Sequence, residues 1–199
     1  MGSAQESDSI LLGKLKGESA MIYTAYYDSP MGKILLAAKD DALIGLWIEG
    51  QKYSLGSLKE PMEKQPDDPV LLAAKSWLDR YFAGAKPAIS ELKLSPMGSE
   101  FRQTVWQILC EIPYGKLTTY GDIAKKVAAK FGKERMSAQA VGGAVGHNAI
   151  SIIIPCHRVV GASGSLTGYA GGIEKKIWLL QHEGVSMDGL FVPAKSTAP

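Results

Sequence analysis

The hydrophobic pattern changes character at Pro96-Met97-Gly98, and this change constrains the fold more than any other feature of the sequence. Before it, "MIYTAYYDSPMGKILLAAKDDALIGLWIEG" (21–50) reads as three strands with turns at Ser29-Pro30 and Lys39-Asp40-Asp41. Residues 51–69 are polar and rich in Pro and Gly, so they read as a loop. Apolar residues at 70, 71, 74, 77, 78, 81 and 82 have helical spacing, and Gly84 stops that helix. "AISELKLS" (88–95) reads as one more strand. After Pro96 the period becomes helical. Phe101, Val105, Ile108, Leu109 and Ile112 trace one helix face, ended by Pro113-Tyr114-Gly115. Thr118 or Thr119 caps a second helix, whose stripe is Tyr120, Ile123, Ala124, Val127, Ala128 and Phe131. Ser137 caps a third helix running toward Asn148, "ISIII" (150–154) reads as a short buried strand, and "IEKKIWLLQHEG" (173–184) is a last helix. Two short helices joined by a tight turn, then a strand and a loop, suggest a winged helix-turn-helix. The expected organisation is a polar tail (1–18), an α/β unit of small antiparallel sheet plus helix (19–95) and a mostly α unit (96–199).

Composition excludes several classes. At 46% hydrophobic and 21% charged, the 199 residues suit a soluble globular protein with a real core. Residues 1–95 carry 11 basic and 13 acidic side chains, residues 96–199 carry 11 and 7, so the mild positive charge sits in the second half. That balance is compatible with a polyanion partner. Two cysteines, Cys110 and Cys156, are too few for a disulfide framework. "MGSAQESDSI" is no signal peptide, Glu6 breaks the myristoylation pattern, and no apolar run approaches the roughly 20 residues that span a bilayer. A cytoplasmic, reduced protein is expected.

Two stretches stand out chemically. "SAQAVGGAVGHN" (137–148) is a helix that presents almost no side chain, and its two interior glycines cost roughly 1 kcal/mol each against alanine. Close helix packing explains such a helix, and so does close approach to a ligand backbone. A helix that reads the major groove carries forks for base edges, and this one offers only Gln139. A thin helix suits the minor groove, where readout is degenerate. "SIIIPCHRVV" (151–160) ends an apolar run at Pro155 and follows it at once with Cys156, His157 and Arg158. Pro155 breaks any strand ladder there, so the thiol sits where strand meets turn. A thiol with an ordinary pKa of about 8.5 needs a base to become thiolate at neutral pH. His157, reached through a turn or one water and oriented by Glu183 from "LLQHEG", supplies it. A structural cysteine is the alternative for Cys156, and the expectation for Cys110. Arg158 suits either a phosphate or a local carboxylate.

"IPCHRVV", with "SAQAVGGAVGHN" before it and "GSLTGYAGG" and "WLLQHEG" after it, resembles the O6-alkylguanine-DNA alkyltransferase family. The resemblance covers roughly residues 96–185, and residues 20–95 resemble the family's N-terminal domain, often described as ribonuclease H-like. It implies that Cys156 accepts the alkyl group from O6 of guanine as a permanent thioether, in one turnover. It also implies that His157 acts as base through a water and that Glu183 orients it. Asn148 is then the hinge asparagine, Tyr120 the proton donor to guanine N3, and Tyr169 the closing wall of the guanine pocket. The carbonyls of Cys156 and Val159 accept from the guanine amino group, and the amide of Ala170, where many members have serine, donates to O6. Ala138, Gly142 and Gly143 belong to the DNA-facing helix, and Gln139 stands where many members carry the arginine that fills the flipped base's gap. The resemblance implies a monomer acting on double-stranded DNA, with O4-alkylthymine as a further substrate and no cofactor or metal. The zinc set of some members has no counterpart, since residues 1–95 hold neither Cys nor His. Packing is the alternative for Tyr120, which lies on its helix's apolar stripe, and a surface role for Gln139. A cysteine hydrolase using Cys156, His157 and Glu183 and a non-catalytic DNA-binding or damage-sensing module are the rival functions.

Overall fold

The computed structural model describes residues 21–55 and 58–194. The expected tail, 1–18, lies outside the described residues. Strands β1 (Ile22–Ser29), β2 (Gly32–Lys39) and β3 (Ala42–Ile48) form the expected antiparallel meander. Asp40 and Asp41 take positive φ at the second turn (54° and 137°), a conformation Asp tolerates better than most residues. A fourth strand, β4 (Met62–Lys64), lies parallel to β1 within the stretch expected to be a loop, so the sheet is mixed with order β3-β2-β1-β4. Three residues with every side chain exposed leave no hydrophobic alternation to betray such an edge strand.

Helix α1 (Pro69–Phe82) begins where Asp68 accepts from the amides of Val70 (3.0 Å) and Leu71 (3.1 Å), with Pro69 at the first helical position. It buries Leu71, Ala74, Trp77, Leu78 and Tyr81 in one core with Ile34, Leu36 and Ala38 of the sheet. The opposite face of the sheet buries Ile22, Ala37, Ile44 and Trp47 under Leu55 and Leu58. This is the period-2 division of a pleated strand.

The second part is helical: α2 (Glu100–Cys110), α3 (Tyr120–Lys130), α4 (Ala138–Gly146) and α5 (Ile173–His182). Ser99, Thr119 and Ser137 each cap a helix with a side-chain oxygen. The Trp106 indole donates to the Ala144 carbonyl at 2.9 Å and pins α2 to α4. A two-stranded parallel pair joins β5 (Thr118–Thr119) to β6 (Val159–Val160).

Two expected strands are corrected. Segment 88–95 forms a 3-10 turn at Ile89–Glu91 and then a single bridge from Leu94 to Leu43. Segment 150–154 forms a single bridge from Ile150 to Leu46, after which the chain turns repeatedly and Ile152 takes φ +69°. Only 150–154 is apolar and buried, whereas 88–95 mixes Ile and Leu with Ser, Glu and Lys and stays partly exposed, but both segments cover the free edge of β3. There Leu43 donates to Lys93, Ser95 to Leu43, Leu46 to Ala149 and Ser151 to Leu46, all at 2.8–3.0 Å. Burial produced the apolar run, but Pro155 and the side chain of Asn148 stop it from continuing as a ladder. The edge of the N-terminal sheet thus anchors the segment that leads into Cys156.

Candidate active site

Pro155 ends the turns and a short 3-10 helix, Cys156–Arg158, follows, all three side chains buried. Asn148, two residues past the end of α4 and 3% exposed, organises the approach. Its carbonyl accepts from the Ile150 amide (3.0 Å), and its amide nitrogen lies near Ile150 O (3.3 Å), Ile154 O (2.8 Å) and the Cys156 sulfur (3.0 Å). An N–H aimed at sulfur favours thiolate over thiol. Burial works the other way and pushes the Cys156 thiol above its ordinary range, partly offset by Asn148 and Lys176. The resting group is therefore a neutral thiol that needs a base.

His157 is fully buried, with Nε2 2.7 Å from Glu183 Oε1. Burial holds its pKa below 6.5 despite the carboxylate, so the imidazole is neutral at pH 7. With Nε2–H donated to Glu183, Nδ1 carries the free lone pair, and it is buried without a protein partner. No hydrogen bond joins His157 directly to Cys156 among the described residues, as expected for neighbours on a short turn. Glu183 collects further donors: Arg158 Nε on Oε2 (2.8 Å), Arg158 Nη2 on Oε1 (2.9 Å), the Gly115 amide on Oε2 (3.0 Å) and the Tyr81 hydroxyl on Oε1 (2.8 Å). The His157 and Arg158 hydrogen bonds outweigh burial and keep this carboxylate far below the usual range. Arg158 also donates to Ile112 O (2.6 Å) and stacks over Tyr114, which decides for the carboxylate over a phosphate as its partner.

The other wall is assembled around carbonyls. Tyr120 donates its hydroxyl to Thr167 O at 3.0 Å, and a Cβ on Gly168 (φ +72°) would lie 2.6 Å from that hydroxyl, so only glycine fits there. Burial raises the Tyr120 pKa to about 12 and keeps the proton in place. Lys176, fully buried, donates to the Val159 carbonyl and to Thr167 O (2.8 Å), and burial lowers its pKa to about 8. Tyr169 is buried with its hydroxyl unpartnered, and the Ala170 carbonyl accepts from the Lys52 amide at 3.0 Å. A cleft of about 530 Å³ opens between the start of α3, α4 and the loop after β6, lined by Tyr120, Ala138, Gln139, Gly142, Thr167 and Gly168. That size suits a small-molecule-sized group such as a nucleobase. A Cβ on Gly143 would meet nothing within 4 Å, and one on Gly142 only the Tyr120 ring at 3.9 Å. Tight helix packing therefore does not account for these glycines.

Comparison with known proteins agrees. The family model described as "6-O-methylguanine DNA methyltransferase, DNA binding domain" matches residues 100–185, and "6-O-methylguanine DNA methyltransferase, ribonuclease-like domain" matches residues 22–96. The methylated-DNA–protein-cysteine methyltransferase of Haemophilus influenzae is 40% identical over 81% of this chain and 86% of its own. The chain belongs to this family. The protein of the same name from Mycobacterium leprae is 42% identical over 82% of this chain and 93% of its own. A solved relative, Mycobacterium tuberculosis OGT in complex with DNA, superposes with a TM-score of 0.69 at 39% identity, covering 82% of this chain and 92% of that one. The two-part fold, a small mixed sheet followed by a helical unit, is that of the family.

Within that fold, Cys156, His157, Glu183, Asn148, Tyr120, Val159 and Tyr169 lie around the thiol, Ala138, Gln139 and Gly142 line the cleft from α4, Gly143 follows them with open space at its Cβ position, and Ala170, on the loop before α5, lines a separate hollow with Tyr169. Sequence reasoning missed Tyr81 and Lys176. Tyr81 lies on an apolar helical stripe, which signals core, and Lys176 sits in a polar helix segment, which signals solvent. Among the described residues, no group of three His, Cys, Asp or Glu is placed to hold a metal ion, and no helix is long and apolar enough to cross a membrane.

Proposed function

We propose that Cys156 is the acceptor in direct reversal of O6-alkylguanine damage, taking the alkyl group once and for good. The observation that carries this is the pairing of a buried thiol under the Asn148 N–H (3.0 Å) with a neutral His157 fixed by Glu183 (2.7 Å). The Cys156 proton passes through one water to His157 Nδ1, whose lone pair has no protein claimant. The sulfur electron pair then forms the S–C bond as the C–O6 bond breaks. The Tyr120 proton neutralises the departing base at N3, and solvent carries the proton held by His157 back to Tyr120. The thioether has no ready leaving route, so the site is spent.

A thiol 5% exposed cannot reach O6 within a stacked duplex, so the base must be turned out into the cleft. There Tyr169 packs against it, the carbonyls of Cys156 and Val159 take its amino protons, and the Ala170 amide donates to O6. The bare face of α4 lies in the minor groove with Ala138, Gly142 and Gly143 against the backbone, and Gln139 fills the gap in the stack. The partner is double-stranded DNA bound by a monomer without sequence choice, in the cytoplasmic compartment, and O4-alkylthymine is a second substrate. No metal or organic cofactor enters any step.

The test is mass spectrometry of the Cys156 peptide after incubation with an O6-methylguanine duplex. One CH2, about 14 Da, should appear on Cys156 in a single stoichiometric event, and Cys156→Ala should take up none while still binding the DNA. Steady turnover of a thioester or peptide with an unmodified Cys156 would instead establish a hydrolase, and binding without transfer a damage sensor.

A further inference from the structure

Glu183 is read by more than the imidazole it orients. Tyr81 belongs to α1 of the N-terminal unit, 102 positions earlier in the chain, yet its hydroxyl donates to Oε1 at 2.8 Å, the same oxygen that holds His157 Nε2. The contact is built rather than incidental. Tyr81 is 1% exposed, stacks on Trp77 with ring centroids 5.4 Å apart, and returns its own carbonyl to His182 Nε2 at 2.8 Å, next door to Glu183. Burial beside the carboxylate raises the phenol pKa far above its usual range, so Tyr81 is a permanent donor. We infer that Tyr81 is a positioning residue of the relay, through which the N-terminal unit sets how much of the Glu183 carboxylate is left for His157.

The physical reasoning concerns one oxygen shared by several donors. His157, Tyr81 and Arg158 Nη2 all draw on Oε1, and each hydrogen bond disperses charge that would otherwise strengthen the bond to the imidazole. The groups facing the pair from other elements are Arg158 and Cys156 on the 3-10 helix, Tyr114 from the loop before β5, Tyr169 from the loop before α5, and Lys176 on α5. None of them but Arg158 and Tyr81 donates a side-chain proton to Glu183 besides His157 among the described residues. Removing the phenol leaves a more basic carboxylate, which stabilises the imidazolium and raises the pH at which His157 protonates. The alkyl-transfer reading supplies the reason this matters, because a protonated His157 cannot accept the thiol proton.

Tyr81→Phe keeps the ring and removes only the hydroxyl. The titration of His157, followed by NMR of the imidazole in the intact chain, should move up by about half a pH unit or more, and the acid limb of methyl transfer should move with it. Duplex binding should be unchanged. Tyr81→Leu, which also removes the ring, should reproduce the titration shift and add a loss of thermal stability. A purely structural tyrosine would lower the unfolding temperature and leave the His157 titration where it is in both variants, and that result overturns the inference. Because the imidazole titration is read without DNA, it answers independently of whether Cys156 proves to be the alkyl acceptor.

Discussion

The two sides of the site are built on opposite principles. On the relay side nearly every polar atom is claimed. Asn148 makes hydrogen bonds to three backbone groups and a sulfur, and Glu183 takes five donors from three separate stretches of chain. On the cleft side α4 offers Ala138, Gln139 and Gly142, with Gly143 beside them facing open space. The first arrangement suits a reaction whose groups must be held within a few tenths of an ångström. The second suits a large, mobile polymer that must come close to the backbone without being read base by base. On the proposed function, rigidity lies where bonds would change and bareness where DNA would approach.

The contrast breaks most decisively at Asn148. Asn148→Ala leaves the Ile150 amide buried without a partner and takes one of two donors from the Ile154 carbonyl, which keeps the Cys156 amide at 2.8 Å, for an expected loss of about 2 kcal/mol in denaturant unfolding. It also removes the N–H aimed at sulfur, so methyl transfer should slow at least about tenfold in the fraction that folds. A loss below about 1 kcal/mol would show that the relay side is less tightly determined than its hydrogen bonds imply.

The pH profile sharpens the same side. His157 has its pKa depressed by burial, so its neutral form persists below the ordinary 6.5 and protonates only at lower pH. The Cys156 thiol is raised, so it does not ionise alone near its ordinary value. The transfer rate should therefore stay flat from about pH 9 down to about pH 6.5 and fall only below that. Stability follows the same sign. The unfolded chain takes up a proton on His157 that the folded chain resists, so unfolding should become easier as pH drops through this range. Glu183, depressed in the folded state, adds a further loss below about pH 4.5. A rate that climbs steadily through pH 8.5 would mark a free thiolate, with no relay, as the nucleophile.

The smallest effect belongs to the cleft side, where stability and function should part company. Gly143→Ala puts a methyl group into open space on a helix interior, so it should stabilise the fold by up to about 1 kcal/mol. The same methyl group should weaken duplex binding, measured by gel shift or fluorescence anisotropy at fixed salt. Weaker folding with unchanged binding would restore packing as the reason for the glycine.

Much of this molecule is legible along the chain because the signals are local. Helices α1 to α5, the Thr119 and Ser137 caps and the β1–β3 meander follow from periodicity and turn chemistry. The thiol, imidazole and carboxylate of the site follow from a motif of adjacent residues and one later segment. Strand β4 escaped because an exposed three-residue edge has no pattern of its own. Segment 150–154 reads as a strand because burial against β3 makes it apolar, and an apolar run does not say whether a ladder or a series of turns will bury it; segment 88–95 mixes apolar and polar residues, a pattern that a 3-10 turn followed by one bridge satisfies as well as a strand does.

What the sequence determined by itself, then, is which groups are present: a thiol, an imidazole, a carboxylate and a helix stripped of side chains. Only the tertiary structure decided who shares that carboxylate. Tyr81 and Lys176 become parts of the site because α1 docks against α5 and because α5 turns a lysine inward onto two carbonyls. Hydrogen bonds between residues a hundred positions apart depend on how whole elements pack, and no local pattern encodes that.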